Sequence, residues 1–412
     1  VVLMKLSASE SGPPRLLTYC FLPYNGRGPS RSCVRIISEI PTEAFTTELF
    51  LPRARKAIPK SVHVREALTP ALRRAPWRWV HRAGVEALNR AMFKAIESCD
   101  PERTIAYFFP GPPLDLLRYA KSRGVLTVRE MINCYNGTSK RILSQAYADL
   151  ALPPFDQIPD SKIEAERQEL PLYDHVFASK QVEATLVEAG VNPARILPSA
   201  FGWDPADLLP QREALPATRG VTALYVGLLC VRKGVLDLLE AWRRAGIDGT
   251  LLMLGDIHPE LAPLIKKYQD DPTIKFVGFK PNIGDYYRAA DFFVFPSLEE
   301  GGPQVTCEAS GCGLPVITTP MGAGRITEDE VNGLIVPPRN IEALQAAITR
   351  LAESPELRAR LGARGKADAA RFTYRALAAH RADLLSEALS RHNAGRARLE
   401  DHAVERRPSI RA

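Results

Sequence analysis

The chain has 412 residues, a formal charge of +7 and 45% hydrophobic residues. That length exceeds a single ordinary core, so two domains are expected. No run of eighteen apolar residues is present to form a membrane span, and no Cys or His spacing matches a zinc site. The opening VVLMKLSASESGPPR lacks a basic segment followed by an apolar core, so no signal peptide is expected; the true start is either upstream or at Met4. The seven cysteines are scattered and odd in number, which implies reduced thiols and a cytoplasmic setting.

In chain order, residues 1–14 read as a flexible N-terminus. A strand over 16–22 leads into the loop Pro23–Pro29, which contains Gly26. The segment 72–82, LRRAPWRWVHR, is basic and aromatic. It reads in two ways. One is a helix that buries its Trp residues and solvates its Arg residues. The other is a peripheral contact with a membrane carrying anionic lipid. Further strands are expected at 104–109, 125–129, 175–179 and 195–199, followed by a linker rich in Pro and charge at 205–220. The second half has strands at 223–227, 251–255, 274–277, 291–295, 315–319 and 334–336. Alternating strands and helices with short connections predict an α/β fold of doubly wound parallel sheets, with ligands at the C-terminal strand ends. Gly227, Gly255 and Pro296 fall there. Residues 376–390 form a last amphipathic helix, and the Arg-rich tail 391–412 reads as disordered. No nucleic-acid-binding module is visible.

Residues 296–338 carry the most chemistry. Glu300 and Glu308 stand eight positions apart, with Gly301-Gly302-Pro303 between them. Pro is favoured at a first helical position, so a helix is expected from Pro303 to Cys312, stopped by Gly313. Paired glycines allow close approach of backbone to a ligand. The dipole of that helix start, where Pro303 stands, and the N–H groups of Gly301, Gly302, Gln304 and Val305 suit a diphosphate. Glu308 lies about 7–8 Å along the helix, within reach of a ribose diol. Glu300 is on the loop, where a sugar attached to the diphosphate would present its hydroxyls. Glu299 reads as a solvated surface carboxylate. Cys307 and Cys312 read as small packing residues.

This stretch resembles the signature of the retaining glycosyltransferases of family 4, the group 1 glycosyltransferase domain with the GT-B fold. The resemblance covers roughly residues 15–390 and is most specific over 221–340. It implies two Rossmann-like domains facing each other across a cleft: an acceptor-side domain at 15–204 and a nucleotide-sugar domain at 221–375, with the helix 376–390 crossing back to the first. It also implies that Lys233, after Gly227, contacts the donor diphosphate. Many members have Arg directly after that glycine. This chain has Leu228, so the contact is either absent or supplied by Arg232. Family members often place a His near the donor sugar. Here the corresponding place reads Arg129-Glu130-Met-Ile-Asn133-Cys134, leaving Asn133 or Glu130 for that role. The resemblance implies that Gly26 belongs to a glycine loop near the donor phosphates; the other reading of this loop is a plain turn.

The expected catalytic set is therefore Glu300, Lys233 and Asn133. The expected donor contacts are Gly26, Gly227, Arg232, Lys233, Gly301 to Val305 and Glu308. The implied reaction is transfer of a hexose from a UDP- or GDP-sugar to the hydroxyl of a saccharide or lipid-linked glycan in polysaccharide or cell-envelope biosynthesis. No cofactor is implied. No Asp-x-Asp occurs in the chain, and the resemblance implies a metal-independent site. The alternatives are a synthase or epimerase on the same fold, or a non-catalytic protein that binds sugar nucleotides.

Overall fold

A computed structural model describes residues 12–211 and 215–405, with side chains through 398. The expected flexible N-terminus therefore lies outside the described residues up to position 11. By internal contacts the chain divides into two units. The first comprises residues 1–130, 169–177 and 378–412, and the second comprises 131–168 and 178–377.

The first unit contains β1 (Arg15–Tyr19), β2 (Thr46–Leu51), β3 (Val62–Glu66), β4 (Thr104–Phe108), β5 (Leu126–Glu130) and β6 (His175–Ala178). They run in the order β3-β2-β1-β4-β5-β6, all parallel. Strands β4 and β5 are buried along their whole length, as expected where both faces of a parallel sheet are covered. The sequence reading had no strand at β2 or β3. Strand β2 carries the buried Glu48, whose charge is met by Arg15 at 2.6 Å and Arg65 at 3.3 Å. An acid inside an apolar run hides a buried strand.

The tail is corrected by the structure. The last helix spans Tyr374–Glu405, so residues 391–405 are helical rather than disordered, and 406–412 lie outside the described residues. Arg396 Nη1 donates to Gly124 O at 2.8 Å, and Asn393 Nδ2 donates to Glu102 O at 2.7 Å. These polar contacts hold a segment that has no apolar stripe of its own. Further back on the same helix, Arg381 is 1% exposed and forms a two-pronged pair with Glu130, at 2.6 and 2.9 Å. Tyr107 donates to the same carboxylate, and the Phe177 ring lies 4.5 Å from the guanidinium. Glu130 is thus committed to a buried structural pair and does not fill the role of the missing His.

The second unit begins with the helix Asn136–Asp149 and includes the short strand β7 (Ile196–Pro198). Its six-stranded sheet contains β8 (Val221–Val226), β9 (Gly249–Leu254), β10 (Ile274–Gly278), β11 (Phe292–Phe295), β12 (Val316–Thr318) and β13 (Gly333–Ile335). The order is β10-β9-β8-β11-β12-β13, all parallel. The order reverses between β8 and β11, a switch point of the kind where doubly wound sheets open a ligand crevice.

The chain does not change unit at the expected linker, 205–220. Trp203 Nε1 donates to Ala369 O at 2.8 Å, and a methyl group on Gly311 would lie 2.3 Å from the Trp203 ring. Asp204 caps the turn Pro205–Leu208, and Arg288 donates to Leu208 O. Residues 203–208, before and at the start of the expected linker, are therefore packed into the second unit. No helix among the described residues is long and apolar enough to cross a membrane.

Candidate functional site

The site residues of the second unit gather at the C-terminal ends of β8 and β11. After β8, Gly227 and Leu228 lead to the tight turn Val231–Lys233. The turn ends at Gly234, with φ +66°, where a β-carbon would lie 2.1 Å from Pro296 O. Only glycine permits both the left-handed backbone and that approach. The turn is thereby pressed against the loop after β11, and Leu298 N donates to Arg232 O at 2.9 Å.

Two cations and two carboxylates meet where these loops touch. Lys233 Nζ pairs with Glu300, which also accepts from Ser297 Oγ at 2.8 Å. Both Lys233 and Glu300 are buried, and Lys233 Nζ lies 5.4 Å from the centre of the Phe295 ring. Arg232 Nη1 lies 3.1 Å from Glu299. Burial opposes the charge on Arg232, but Glu300 and Glu299 outweigh it and hold the guanidinium above its ordinary pKa.

Glu299 is not the solvated carboxylate that the sequence reading expected; it is 2% exposed. Besides Arg232, it accepts from Cys134 N and from Ser139 Oγ, each at 3.2 Å. Burial pushes the Cys134 thiol pKa well up, and the neighbouring Glu299 charge adds to the effect. Glu299 thus ties the loop after β11 to residues 134–139. No local signal marks it, because its partners lie 160 and 165 positions away in sequence.

Packing within the chain also requires the paired glycines. A β-carbon on Gly301 would lie 1.9 Å from Ile132 O, and one on Gly302 would lie 2.1 Å from the Phe201 ring. The space a side chain would need is filled by this chain's own atoms. The contact at Gly301 brings the backbone of Asn133 to the edge of the site. Asn133 is exposed and lines a cavity of about 260 Å³ together with Leu228, Arg232, Glu299, Lys162 and His258.

The expected helix spans Gln304–Gly311, and Pro303 is its N-cap rather than its first turn. Gly313, with φ +85°, closes the far end. The helix is fixed by Thr306 Oγ1, which donates to Gly322 O at 2.8 Å, and by the buried Cys307, whose thiol donates to Phe201 O at 3.7 Å. Glu308 is 8% exposed and accepts from Tyr287 Oη at 3.1 Å. Burial, then the Glu308 charge, pushes the Tyr287 pKa well up, so the phenol stays a donor. Gly26 belongs to the first unit, where it turns the chain with φ +80°. Among the described residues no group of three or more His, Cys, Asp and Glu could hold a metal ion.

The parallel sheets and their connections have the fold of the GT-B glycosyltransferases. Within this chain, residues 220–354 match the family described as "Glycosyl transferases group 1". An uncharacterized glycosyltransferase of Methanocaldococcus jannaschii is 30% identical over 154 residues, covering 37% of this chain and 44% of its own. The amylovoran biosynthesis glycosyltransferase AmsK of Erwinia amylovora is 30% identical over 204 residues, covering 44% of this chain and 50% of its own. The chain spans about half the length of these curated relatives. Among solved structures, Anabaena Alr3699/HepE in complex with UDP-glucose superposes with a TM-score of 0.60 at 19% identity, over 91% of this chain and 100% of that one.

Proposed function

We propose that this protein is a glycosyltransferase that moves a hexose from a nucleoside diphosphate-sugar, UDP- or GDP-linked, to a hydroxyl acceptor with retention and without a metal ion. The acceptor is a saccharide or lipid-linked glycan of polysaccharide or cell-envelope biosynthesis, and the reaction is cytoplasmic. The observation that carries this reading is the buried Lys233–Glu300 pair at the strand ends, one helical segment away from Glu308. Lys233 is then the cation for a diphosphate, and Glu300 and Glu308 are the carboxylates suited to diols. The family match over 220–354 and the UDP-glucose complex of HepE support the donor class.

In this reading Glu308 accepts the ribose hydroxyls and Glu300 accepts hydroxyls of the transferred sugar. Lys233 and the N–H groups at the start of the Gln304–Gly311 helix meet the negative charge that grows on the leaving diphosphate. A preorganised cation and dipole aimed at developing charge lower the barrier without reorganisation. The acceptor oxygen attacks the face from which the diphosphate departs. The diphosphate takes the acceptor proton, and Asn133 orients the sugar. Arg232 supplies the phosphate contact that Leu228 cannot make.

The test is turnover of a panel of UDP- and GDP-sugars with and without EDTA, with the product anomer read by NMR. Retained configuration and indifference to EDTA are expected. An inverted product, or activity abolished by EDTA and restored by added metal, overturns the corresponding part of the proposal. Failure to bind any nucleoside diphosphate overturns the whole.

A further inference from the structure

The basic, aromatic segment 72–82 is not used by the proposed reaction. It forms a corner of two helices, Pro70–Arg74 and Trp77–Glu97, in the first unit. Its two tryptophans behave differently. Trp77 faces inward, where a methyl group on Gly84 would lie 2.9 Å from its ring and the Arg53 guanidinium sits 5.5 Å from its centre. Arg53 is itself buried and donates to Arg73 O at 2.8 Å, clamping the corner to the body of the unit. Trp79 points the other way and is 72% exposed, with Leu72 41% exposed on the adjoining helix. The reading that buries both tryptophans holds only for Trp77.

The charge around Trp79 has one sign. Residues 67–85 contain four arginines and no acid. Arg73 pairs with Glu66 and Arg82 with Glu86. Arg74 and Arg78 are exposed and have no carboxylate partner among the described residues, and Arg78 lies 5.6 Å from the Trp79 ring centre. An indole kept in water on a rigid corner, flanked by unneutralised guanidinium groups, has the composition of the membrane–water interface. Trp settles there at the headgroup level, and Arg is drawn to anionic lipid.

We propose that the corner Leu72–Arg82 is a docking surface for an anionic lipid bilayer, with Trp79 entering the headgroup layer and Arg74 and Arg78 meeting lipid phosphates. Anionic lipid is favoured over an acidic polysaccharide or nucleic acid because a large apolar ring, 72% exposed, stands among the cations, with Leu72 exposed beside it. The surface is independent of the transfer reaction, and its test does not need an active enzyme.

The experiment uses the full chain with vesicles of phosphatidylcholine alone or mixed with phosphatidylglycerol, read by co-sedimentation and by Trp emission. Trp203 and Trp242 are buried and Trp77 is half-buried, so a blue shift on binding reports Trp79. Binding to mixed vesicles with a blue shift is expected, and weak binding to phosphatidylcholine. Trp79→Ala should abolish the shift, and Arg74→Glu with Arg78→Glu should weaken partition by about thirtyfold or more. These exposed positions leave folding intact, which the melting curve checks. Equal binding to both vesicle types overturns the proposal, as does binding that neither variant changes. Binding to heparin with the same dependence on Arg but none on Trp79 assigns the patch to a polyanion instead. Concentration-dependent burial of Trp79 without vesicles assigns it to a second copy of the chain.

Discussion

Arg232 and Glu299, 67 residues apart, form an ion pair at 3.1 Å in which the carboxylate is almost wholly buried and the guanidinium is about a third exposed. The same carboxylate serves a backbone N–H and a hydroxyl of residues 134–139. One side chain thus fixes both the direction of Arg232 and the place of the segment that carries Asn133.

Glu299→Ala should therefore lower stability by about 2–3 kcal/mol. This is less than the roughly 3–5 kcal/mol for breaking a fully buried pair, because water reaches Arg232. Glu299→Gln keeps an oxygen for Cys134 N and Ser139 and should lose less. Thermal unfolding of the three proteins checks the order; an alanine variant that melts with the wild type contradicts it.

Glu308→Ala should weaken binding of a nucleoside diphosphate by about 1.5–3 kcal/mol, the range for hydrogen bonds to a charged group. Glu300→Ala should spare the free nucleoside diphosphate and impair the sugar-bearing donor. Calorimetric titration with both ligands separates the two. Equal losses from either variant would remove the division between ribose and sugar carboxylates.

Gly301→Ala should be poorly tolerated although the new group is only a methyl. It would lie 1.9 Å from Ile132 O, so backbone must move. A cost of about 1–3 kcal/mol is expected for overpacking of this kind. A variant with unchanged melting temperature would mean that the 132–133 backbone yields freely.

Asp174 should give the fold an acid-sensitive contribution. Its carboxylate accepts from Thr127 N at 2.8 Å and Lys121 Nζ at 2.8 Å. Burial alone would raise its pKa, but the bonds from Lys121 and Thr127 outweigh burial and hold it below the ordinary 3.8. A depressed folded-state pKa means that the unfolded chain binds more protons as pH falls. The stabilisation is complete above about 3.8 and disappears as pH drops through the lower folded value. Asp174→Asn should thus destabilise the protein near neutrality, and the gap between variant and wild type should close in acid. A gap that widens as pH falls would be the wrong sign.

The sequence made the second unit's sheet legible because its strands are short, mostly apolar runs, and β8, β9 and β11 run directly into Gly227, Gly255 and Pro296. The helix after Pro303 was legible for the same reason, to within a residue at each end. What escaped the reading depends on distant partners. Glu299 beside Glu300 looks like solvated charge until Ser139 and Cys134 are placed against it. The glycines at 301 and 302 advertise close approach but not what approaches. The helix beyond Arg391 shows no hydrophobic period because backbone oxygens at Glu102 and Gly124 hold it. Strand β2 was hidden by its buried, twice-paired glutamate.

The pair Arg381–Glu130 has a consequence for the order in which the protein becomes itself. Its members are 251 residues apart, yet both lie in the core of the first unit. At about 5–20 residues per second, a nascent chain would wait roughly ten to fifty seconds between making the carboxylate and making its guanidinium. The part synthesised first is thus obliged to finish last. We expect chains arrested on the ribosome before residue 381 to leave the first unit open to protease, even where the second unit is already complete and resistant.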